Sequence, residues 1–268
     1  MKSNRTIKTK KELNLPKISI IIVVLNGGKT IEKAIKSVIN QSYKNIELII
    51  IDGVSTDNTL NIINKYKKYV NHFISEPDKG IYDAMNKGIK VSSGDYLYFL
   101  GVDDYLYNKK VLEYFAKKMI KFNADLIIGN FTYFNQSHNR IETKKPSIKI
   151  IDLKRGYSIC HQASFSKRYL FNNHNFNTKY KIGADFDFFC RNLKNKNIKS
   201  IYLNKTIAYF NIHGFSSNKN QLEKDFSLII KNNFGIFWSF FYFLRVKVYY
   251  YIRYILRNIF YFLISKKD

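Results

Sequence analysis

Short apolar runs alternate with segments of helical periodicity along the first part of the chain. Residues 18–25 and 47–51 are continuous and largely β-branched, which is typical of parallel strands buried on both faces. Residues 30–41 and 81–91 carry apolar side chains three or four positions apart, which predicts helices. Residues 72–75 predict a short third strand. This alternation predicts an α/β fold with a mostly parallel central sheet flanked by helices.

A further buried strand is predicted from Tyr96 to Leu100, and it stops at two adjacent carboxylates, Asp103 and Asp104. Gly101 loosens the turn, and no basic residue lies close by in the sequence. In open α/β sheets, ligands bind beyond the carboxyl ends of the strands. A pair of acids at such an end suits a divalent cation and a phosphate. The alternative is a plain Asp-rich turn, because Asp is a common turn residue.

Two more polar residues end predicted strands. Asn26 opens a Gly-containing turn after the first strand, and Asp52 ends the second strand beside the predicted crevice. Asp57 follows a few residues later, and there we favour a cap for the helix that runs to Tyr66.

The composition is that of a globular protein: 268 residues, of which 46% are hydrophobic and 16% aromatic. Lys and Arg number 45 against 20 Asp and Glu, and the net charge of +25 indicates a polyanionic partner such as a membrane surface or nucleic acid. A genome that favours Lys is the competing explanation. Arg is sparse and no nucleic-acid-binding signature is present, which disfavours nucleic acid.

Neither cysteine usage nor the N-terminus indicates secretion. Cys160 and Cys190 are far apart and form no metal or redox motif, as expected in a reduced cytosolic compartment. Residues 1–17 form a basic, polar leader, and the apolar run that follows has no small-residue cleavage site. We therefore interpret this run as the first strand.

Four segments, 18–26, 41–57, 76–88 and 94–104, resemble in this order the family-2 glycosyltransferases, which have the GT-A nucleotide-sugar-binding fold. The similarity extends over residues 18–217. The resemblance implies a nucleotide-diphosphate sugar as donor, most often a uridine one, inversion at the anomeric carbon, and a divalent metal, Mn²⁺ or Mg²⁺.

Matched residue by residue, the resemblance implies donor-binding roles for Asn26 and Asp78 and a nucleoside contact for Asp52. Asp103 and Asp104 correspond to the family's metal and ribose motif. Gly53 stands where many members carry a second acid, which bears on base recognition, and Gly101-Val102 replaces the usual Asn-Ser.

Inverting transfer also needs a base opposite the leaving diphosphate, because the acceptor hydroxyl loses its proton as it attacks. Asp185 is the candidate, since it follows Gly183 near the start of an apolar-faced helix where the family's base sits. The alternative is a helix N-cap. Asp187 is the rival, but Arg191 lies four residues on and is expected to pair with it.

Two histidines are further candidates for the site. His161, in the segment Cys160-His161-Gln162, could bind an acceptor hydroxyl or phosphate, or could be a structural histidine. His213 follows a predicted strand and could reach the donor as a third metal contact, although Gly214 also suits a plain turn.

Residues 218–268 form a helical tail that becomes rich in aromatic and basic residues. No uncharged run reaches the roughly 18 to 20 residues of a spanning helix. This mixture is typical of helices that lie in the headgroup region of an anionic leaflet. The alternatives are packing on the catalytic domain or a contact between two copies of the chain.

The sequence therefore predicts a cytoplasmic glycosyltransferase, peripheral on the inner face of the cell membrane, that extends a saccharide acceptor of the lipid-linked type. Two rivals remain open. A sugar-phosphate nucleotidyltransferase would share the fold and the metal but usually has an Arg-containing Gly-rich loop. A non-catalytic basic module that binds membrane or nucleic acid would not need separate acids at Asp104 and Asp185.

Overall fold

The computed structural model describes residues 15–135, 138–172, 175–211 and 218–265, except for the side chains at 250, 253 and 257–265. Residues 1–14 of the predicted leader, and His213, lie outside the described residues. The strands are β1 (Ile18–Val24), β2 (Ile46–Asp52), β3 (His72–Ser75), β4 (Tyr96–Gly101), β5 (Tyr105–Leu106), β6 (Leu126–Asn135), β7 (Arg140–Lys144), β8 (Ser164–Lys167) and β9 (Ser200–Phe210). The helices are α1 (Ile31–Ile39), α2 (Thr59–Lys65), α3 (Ile81–Val91), α4 (Val111–Phe122), α5 (Ile150–Lys154), α6 (Ala184–Leu193), α7 (Lys219–Phe234) and α8 (Ile236–Ser265).

The described strands form one sheet in the order β3-β2-β1-β4-β8-β6-β9-β5, with β7 beside β6. Pairing is parallel from β3 to β4 and between β6 and β9, whereas β8 runs antiparallel to both β4 and β6. The predicted α/β architecture is confirmed. The antiparallel strands could not be predicted, because the direction of a short strand depends on how the chain returns to the sheet.

Both faces of the parallel strands are buried. Ile20 and Ile22 of β1 pack in the hydrophobic layer that contains α1, α2 and α4. Ile21 and Val23 point the other way and pack with α3, α6 and α7. Burial on both faces explains why β1 is an uninterrupted apolar run rather than an alternating one.

A buried carboxylate, Glu47, joins the N-terminal ends of the parallel strands. It accepts hydrogen bonds from the Ser19 hydroxyl, from the Ser93 amide at 2.6 Å and from the Gly94 amide at 2.9 Å. Lys17 Nζ lies 2.8 Å from its Oε2. Burial raises the pKa of Glu47, but the hydrogen bonds from Lys17, Ser19 and Ser93 outweigh it and lower the pKa to about 2.

The first tail helix, α7, is part of the packed domain. Asp225 on α7 is buried and accepts hydrogen bonds from the amides of Ile182 at 2.8 Å and Gly183 at 3.3 Å, just before α6. Phe226 stacks on Phe186 with ring centroids 4.3 Å apart. We therefore assign α7 to the same packed unit as α6.

The second tail helix, α8, contacts the domain through described residues of its first part. Tyr242 is buried against Phe226 and Gly156, and Ser239 bonds to Ser227. Many of its other described apolar side chains are exposed, among them Phe237 and Phe240. In the part of the chain that the structure describes, no helix is long and apolar enough to cross a membrane.

Candidate active site

A cavity of about 770 Å³ lies at the carboxyl ends of β1 and β4, where open α/β sheets bind ligands. Its walls come from the turn after β1, the end of β4, the segment before β8, and helices α3, α6 and α7. Its polar and charged side chains include Asn26, Lys29, Asp57, Asp103, His161 and Asp185.

The two acids after β4 have different surroundings. Asp103 lines the cavity, and its carboxylate has no side-chain partner in the described residues; burial raises its pKa. Asp104 is only 1% exposed, and it accepts hydrogen bonds from the Asn211 amide and from Gln162 Nε2, both at 2.8 Å. Burial raises the pKa of Asp104 to about 6. The predicted pair therefore presents one carboxylate to the cavity, not two.

Gly101 makes room for this arrangement at the end of β4. A Cβ atom at this position would collide with Oδ2 of Asp104 and lie 3.3 Å from Oδ1 of Asp103. The sequence indicated only that Gly101 loosens a turn. In the structure, Gly101 has no side chain, and this lets both carboxylates approach the strand.

The cavity fits a divalent cation only if a ligand supplies further oxygens. Among residues 15–135, 138–172, 175–211 and 218–265, no group of three or more His, Cys, Asp or Glu side chains could hold a metal ion. Mg²⁺, however, is commonly bound by one or two carboxylates together with substrate phosphates. Asp103, whose carboxylate is free of side-chain partners, fits that smaller donor set.

Two predicted donor residues lie outside the cavity lining. Asp52 has no exposed surface and accepts hydrogen bonds from the Ser75 hydroxyl at 2.6 Å and the Ser55 amide at 3.1 Å. In this structure Asp52 holds the turn after β2, and its predicted nucleoside contact stays a prediction. Asp78 accepts from the Gly80 amide at 2.8 Å, and its Oδ2 lies 2.5 Å from where a Cβ of Gly53 would stand.

The turn after β1 is held by side chains from the neighbouring loop. Asn26 adopts a positive φ of 53°, and its side-chain oxygen accepts from the Thr56 amide at 2.9 Å. Asp57 accepts from the amides of Gly28 at 2.9 Å and Thr59 at 3.0 Å. It therefore bonds the first turn of α2, as a cap would, although Asn58 occupies the N-cap position. It also lines the cavity, which the sequence analysis did not predict.

Asp185 and His161, predicted separately, meet on the opposite wall of the cavity. Asp185 is the second residue of α6, after Gly183 at the N-cap position, so it is not the cap. Its Oδ2 lies 2.9 Å from Nδ1 of His161, and its Oδ1 accepts from the Tyr82 hydroxyl at 2.9 Å. Burial raises the pKa of Tyr82 well above its ordinary value, which keeps this hydroxyl a donor. The sequence contained no local signal for Tyr82.

Asp187, the rival of Asp185, points into the packed interior. It is buried, and its carboxylate accepts from Arg191 Nε at 2.8 Å and from Asn233 Nδ2 at 2.9 Å. The predicted pairing with Arg191 is confirmed. Asp187 joins α6 to α7, which leaves Asp185 as the acid of α6 that faces the cavity.

Known proteins of similar sequence identify the family of this chain. The family model described as "Glycosyl transferase family 2" matches residues 19–190. A PGL/p-HBAD biosynthesis glycosyltransferase of Mycobacterium bovis (strain BCG / Pasteur 1173P2) is 33% identical over 208 residues, which cover 76% of this chain and 80% of the relative. TarP of Staphylococcus aureus (strain N315), a poly(ribitol-phosphate) beta-N-acetylglucosaminyltransferase, is 33% identical over 202 residues, covering 70% and 62%.

Solved structures share the fold at lower identity. S. aureus TarS 1-349 in complex with UDP-GlcNAc superposes with a TM-score of 0.66 at 20% identity, covering 81% of this chain and 67% of that one. The mannosyltransferase PcManGT from Pyrobaculum calidifontis, solved with GDP-Man and Mn²⁺, gives a TM-score of 0.60 at 14% identity, covering 80% and 63%. With the GT-A fold and the family match together, this chain belongs to glycosyl transferase family 2 and is a sugar-transferring enzyme.

Proposed function

We propose that the enzyme transfers a sugar, with inversion, from a uridine-diphosphate sugar to a saccharide acceptor in the synthesis of a cell-surface glycan. One observation carries the proposal: a single cavity holds Asp103, at the end of β4 and without a side-chain partner among the residues that the structure describes, and a second acid, Asp185, on α6. UDP-GlcNAc in the TarS structure supports the choice of donor, and the poly(ribitol-phosphate) polymer in the name of TarP supports a glycan polymer as the product class.

The donor end of the cavity is assigned to the turn after β1 and to Asp103. Lys29 lines the cavity there, and its cation can attract the diphosphate. A divalent metal would be held by Asp103 and the diphosphate, and when bound it would stabilise the charge on the departing nucleotide. No general acid is then needed on this side.

The acceptor end is assigned to the wall that carries Asp185. Transfer with inversion requires the acceptor hydroxyl to attack from the side opposite the leaving group and to lose its proton there. Asp185 and His161 line that wall, and the buried Asp225 fixes the segment that leads into α6. A base site separate from Asp103 keeps the proton acceptor away from the metal.

The exposed surface of α8 supports an acceptor that is attached to a membrane lipid. Phe237 and Phe240 are 69% and 64% exposed, and Tyr251 is 66% exposed. Lys247 lies among these apolar side chains, as expected for a helix in the interfacial plane of an anionic leaflet. Tyr242 of this helix packs against Phe226, which lines the cavity. A membrane-bound acceptor would therefore lie close to the cavity.

Donor binding tests the proposed activity. Calorimetric titration of the full chain with UDP-GlcNAc, UDP-glucose and GDP-mannose, each with Mn²⁺ and with EDTA, should give a dissociation constant between about 1 μM and 1 mM for a uridine donor. Affinity should fall in EDTA. Binding of none of the three, or affinity unaffected by EDTA, would contradict the proposal.

Vesicle binding tests the role of α8 separately. The chain should sediment with vesicles of phosphatidylcholine containing phosphatidylglycerol and less with phosphatidylcholine alone. Replacing Phe237 and Phe240 by Ser should weaken the binding. Replacing two exposed tyrosines elsewhere, Tyr69 and Tyr107, by Ser is the matched control and should not. Equal binding by all three proteins would contradict the assignment.

A further inference from the structure

A second, smaller groove adjoins the active-site cavity. It has a volume of about 560 Å³ and follows the chain from the end of β7 to Ser158. Phe131 on β6 and Ser158 line both the groove and the cavity. Phe131 packs edge-on against Phe210, another residue of the cavity wall, with ring centroids 5.7 Å apart. A ligand in the cavity can therefore extend past this shared wall into the groove.

The groove is rich in cations that lack a carboxylate partner. Lys144, Lys145 and Arg155 line it and are exposed, against a single acid, Asp152. Among the described residues, none of the three cations forms a salt bridge. Asp152 accepts a hydrogen bond from the Ser147 hydroxyl at 2.5 Å instead. Because Arg binds phosphate oxygens in a bidentate manner and Lys binds them as a point charge, this lining suits a phosphate.

The acid of β7 does not neutralise these cations. Glu142 lies two residues before Lys144, but its Oε1 lies 2.8 Å from Nδ1 of His138 and 3.2 Å from Nε of Arg140. Its Oε2 accepts a hydrogen bond from the Tyr133 hydroxyl at 2.7 Å. Both carboxylate oxygens of Glu142 are thus occupied, and the positive charge at the end of β7 stays available to a ligand.

The first part of α8 packs against the groove. The guanidinium carbon of Arg245 lies 4.9 Å from the ring centroid of Tyr157, which is a groove residue. Gly156 leaves room for Tyr242 of the same helix, since a Cβ atom there would collide with the ring. Nε of Arg245 is buried without a hydrogen-bond partner in the part of the chain that the structure describes. Buried donors are normally satisfied, and a ligand oxygen would satisfy this one.

We propose that the groove binds the phosphate link between the acceptor saccharide and a membrane lipid, while the saccharide lies in the cavity. The inference rests on the proposed function and names the chemical class of its acceptor: a lipid-linked sugar phosphate or diphosphate. Lys144, Lys145 and Arg155 bind the phosphate oxygens, and Arg245 adds a fourth cation beside Tyr157. The position of the groove beside α8, whose exposed side chains are assigned to the leaflet, favours a lipid-attached phosphate over a soluble one.

Binding of geranyl diphosphate in EDTA tests the groove. EDTA removes the metal that the donor site needs, so calorimetric titration of the full chain then reports on the groove. Replacing Lys144, Lys145 and Arg155 together by Gln should raise the dissociation constant about 10-fold or more, because charge-assisted hydrogen bonds to phosphate are lost. The three side chains are exposed, so the variant should still unfold cooperatively. Arg245→Met, which removes one charge but keeps an apolar stem against Tyr157, should raise the dissociation constant less.

The controls match the charge and the lipid separately. Replacing Lys67, Lys68 and Lys196 by Gln removes three exposed cations that line neither the cavity nor the groove, and it should leave the dissociation constant unchanged. Geraniol, which lacks the diphosphate, should bind the unmodified chain and the groove variant equally. Equal affinity of the groove variant and this control for geranyl diphosphate, or no binding of geranyl diphosphate by the unmodified chain, would overturn the inference.

Two further measurements separate the possible outcomes. If a soluble glycerol-phosphate oligomer binds through the three groove cations and geranyl diphosphate does not, the acceptor is a phosphate polymer and the lipid assignment is wrong. The groove variant should keep its Mn²⁺-dependent affinity for a uridine donor, because the donor site is separate. If the donor binds but the groove variant loses no affinity for geranyl diphosphate, only the inference fails. If no uridine donor binds to the unmodified chain, the proposed function fails, and the geranyl diphosphate titration still decides whether the groove is a phosphate site.

Discussion

The parallel strands have a buried acid at each end, Glu47 at the N-terminal ends and Asp104 at the C-terminal ends. The two acids have different hydrogen-bond partners and opposite pKa shifts. At the N-terminal ends, Glu47 has a cation, Lys17, at 2.8 Å and several amide and hydroxyl donors. At the C-terminal ends, Asp104 has two neutral donors, and Asp103 has no side-chain partner within the described part of the chain. The pKa is lowered to about 2 for Glu47 and raised to about 6 for Asp104.

The opposite shifts have opposite consequences for stability. A lowered pKa in the folded state stabilises the fold above the ordinary pKa of 4.5, and that contribution is lost as the pH falls towards about 2. A raised pKa acts the other way, so the contribution of Asp104 is lost as the pH rises from 3.8 through about 6. At neutral pH Glu47 therefore contributes to the stability of the fold, whereas Asp104 does not.

The largest effect that we expect separates the two neighbouring acids after β4. Asp103→Asn should weaken Mn²⁺-dependent donor binding on the order of 100-fold, roughly 2.7 kcal/mol, because it removes the carboxylate that faces the cavity. Asp104→Asn should weaken it less, since that side chain is buried against Asn211 and Gln162. Calorimetry of both variants measures this.

The control for charge is Asp83→Asn, which removes the same charge from α3 outside the main cavity, where Asp83 lies 3.8 Å from Lys87. Its donor affinity should be unchanged. Equal losses for Asp103→Asn and Asp104→Asn would show that both acids hold the metal, as the sequence analysis predicted.

A smaller effect, on the free energy of unfolding, is expected at Glu47, at the N-terminal ends of the parallel strands. Glu47→Gln should lower the free energy of unfolding at pH 7 by about 2 kcal/mol after solvent screening is allowed for, because the ionised form is the one that its partners bind. The loss should shrink as the pH is lowered towards 3. Urea titrations at several pH values measure it.

Glu113→Gln is the surface control for Glu47. Glu113 pairs with Lys117 at 2.6 Å on an exposed helix face, and exposed pairs contribute about 0 to 1 kcal/mol. A Glu47→Gln variant as stable as this control at pH 7 would contradict the assigned role.

The smallest effect should come from Gly101→Ala. The added methyl group would push on the carboxylates of Asp104 and Asp103, at a cost of about 1 to 2 kcal/mol in unfolding free energy. Metal-dependent donor binding should also weaken, and a crystal structure should show Asp103 displaced. Unchanged stability and donor affinity together would show that the strand end is not tightly packed.

Much of the fold and part of the site followed from local pattern. The apolar runs predicted β1, β2 and β4 to within a residue or two, and Asp103 was correctly placed at the end of a strand, since that position depends only on where β4 stops. Asp52 also ends a predicted strand, but its carboxylate is buried and bonded to Ser55 and Ser75. Position at a strand end does not tell which way a side chain turns.

The sequence by itself determined which segments form strands and helices, the order in which they occur, and which residue types can carry the chemistry. Only the tertiary structure decided that Asp103 faces the cavity while Asp104 does not. It also decided that α7 packs against the segment before α6, and that His161 contacts Asp185, 24 positions away in the sequence. Periodicity reports how each residue relates to its near neighbours along the chain. Contacts between distant segments arise from how the layers pack, and these contacts decide burial, charge state and partner.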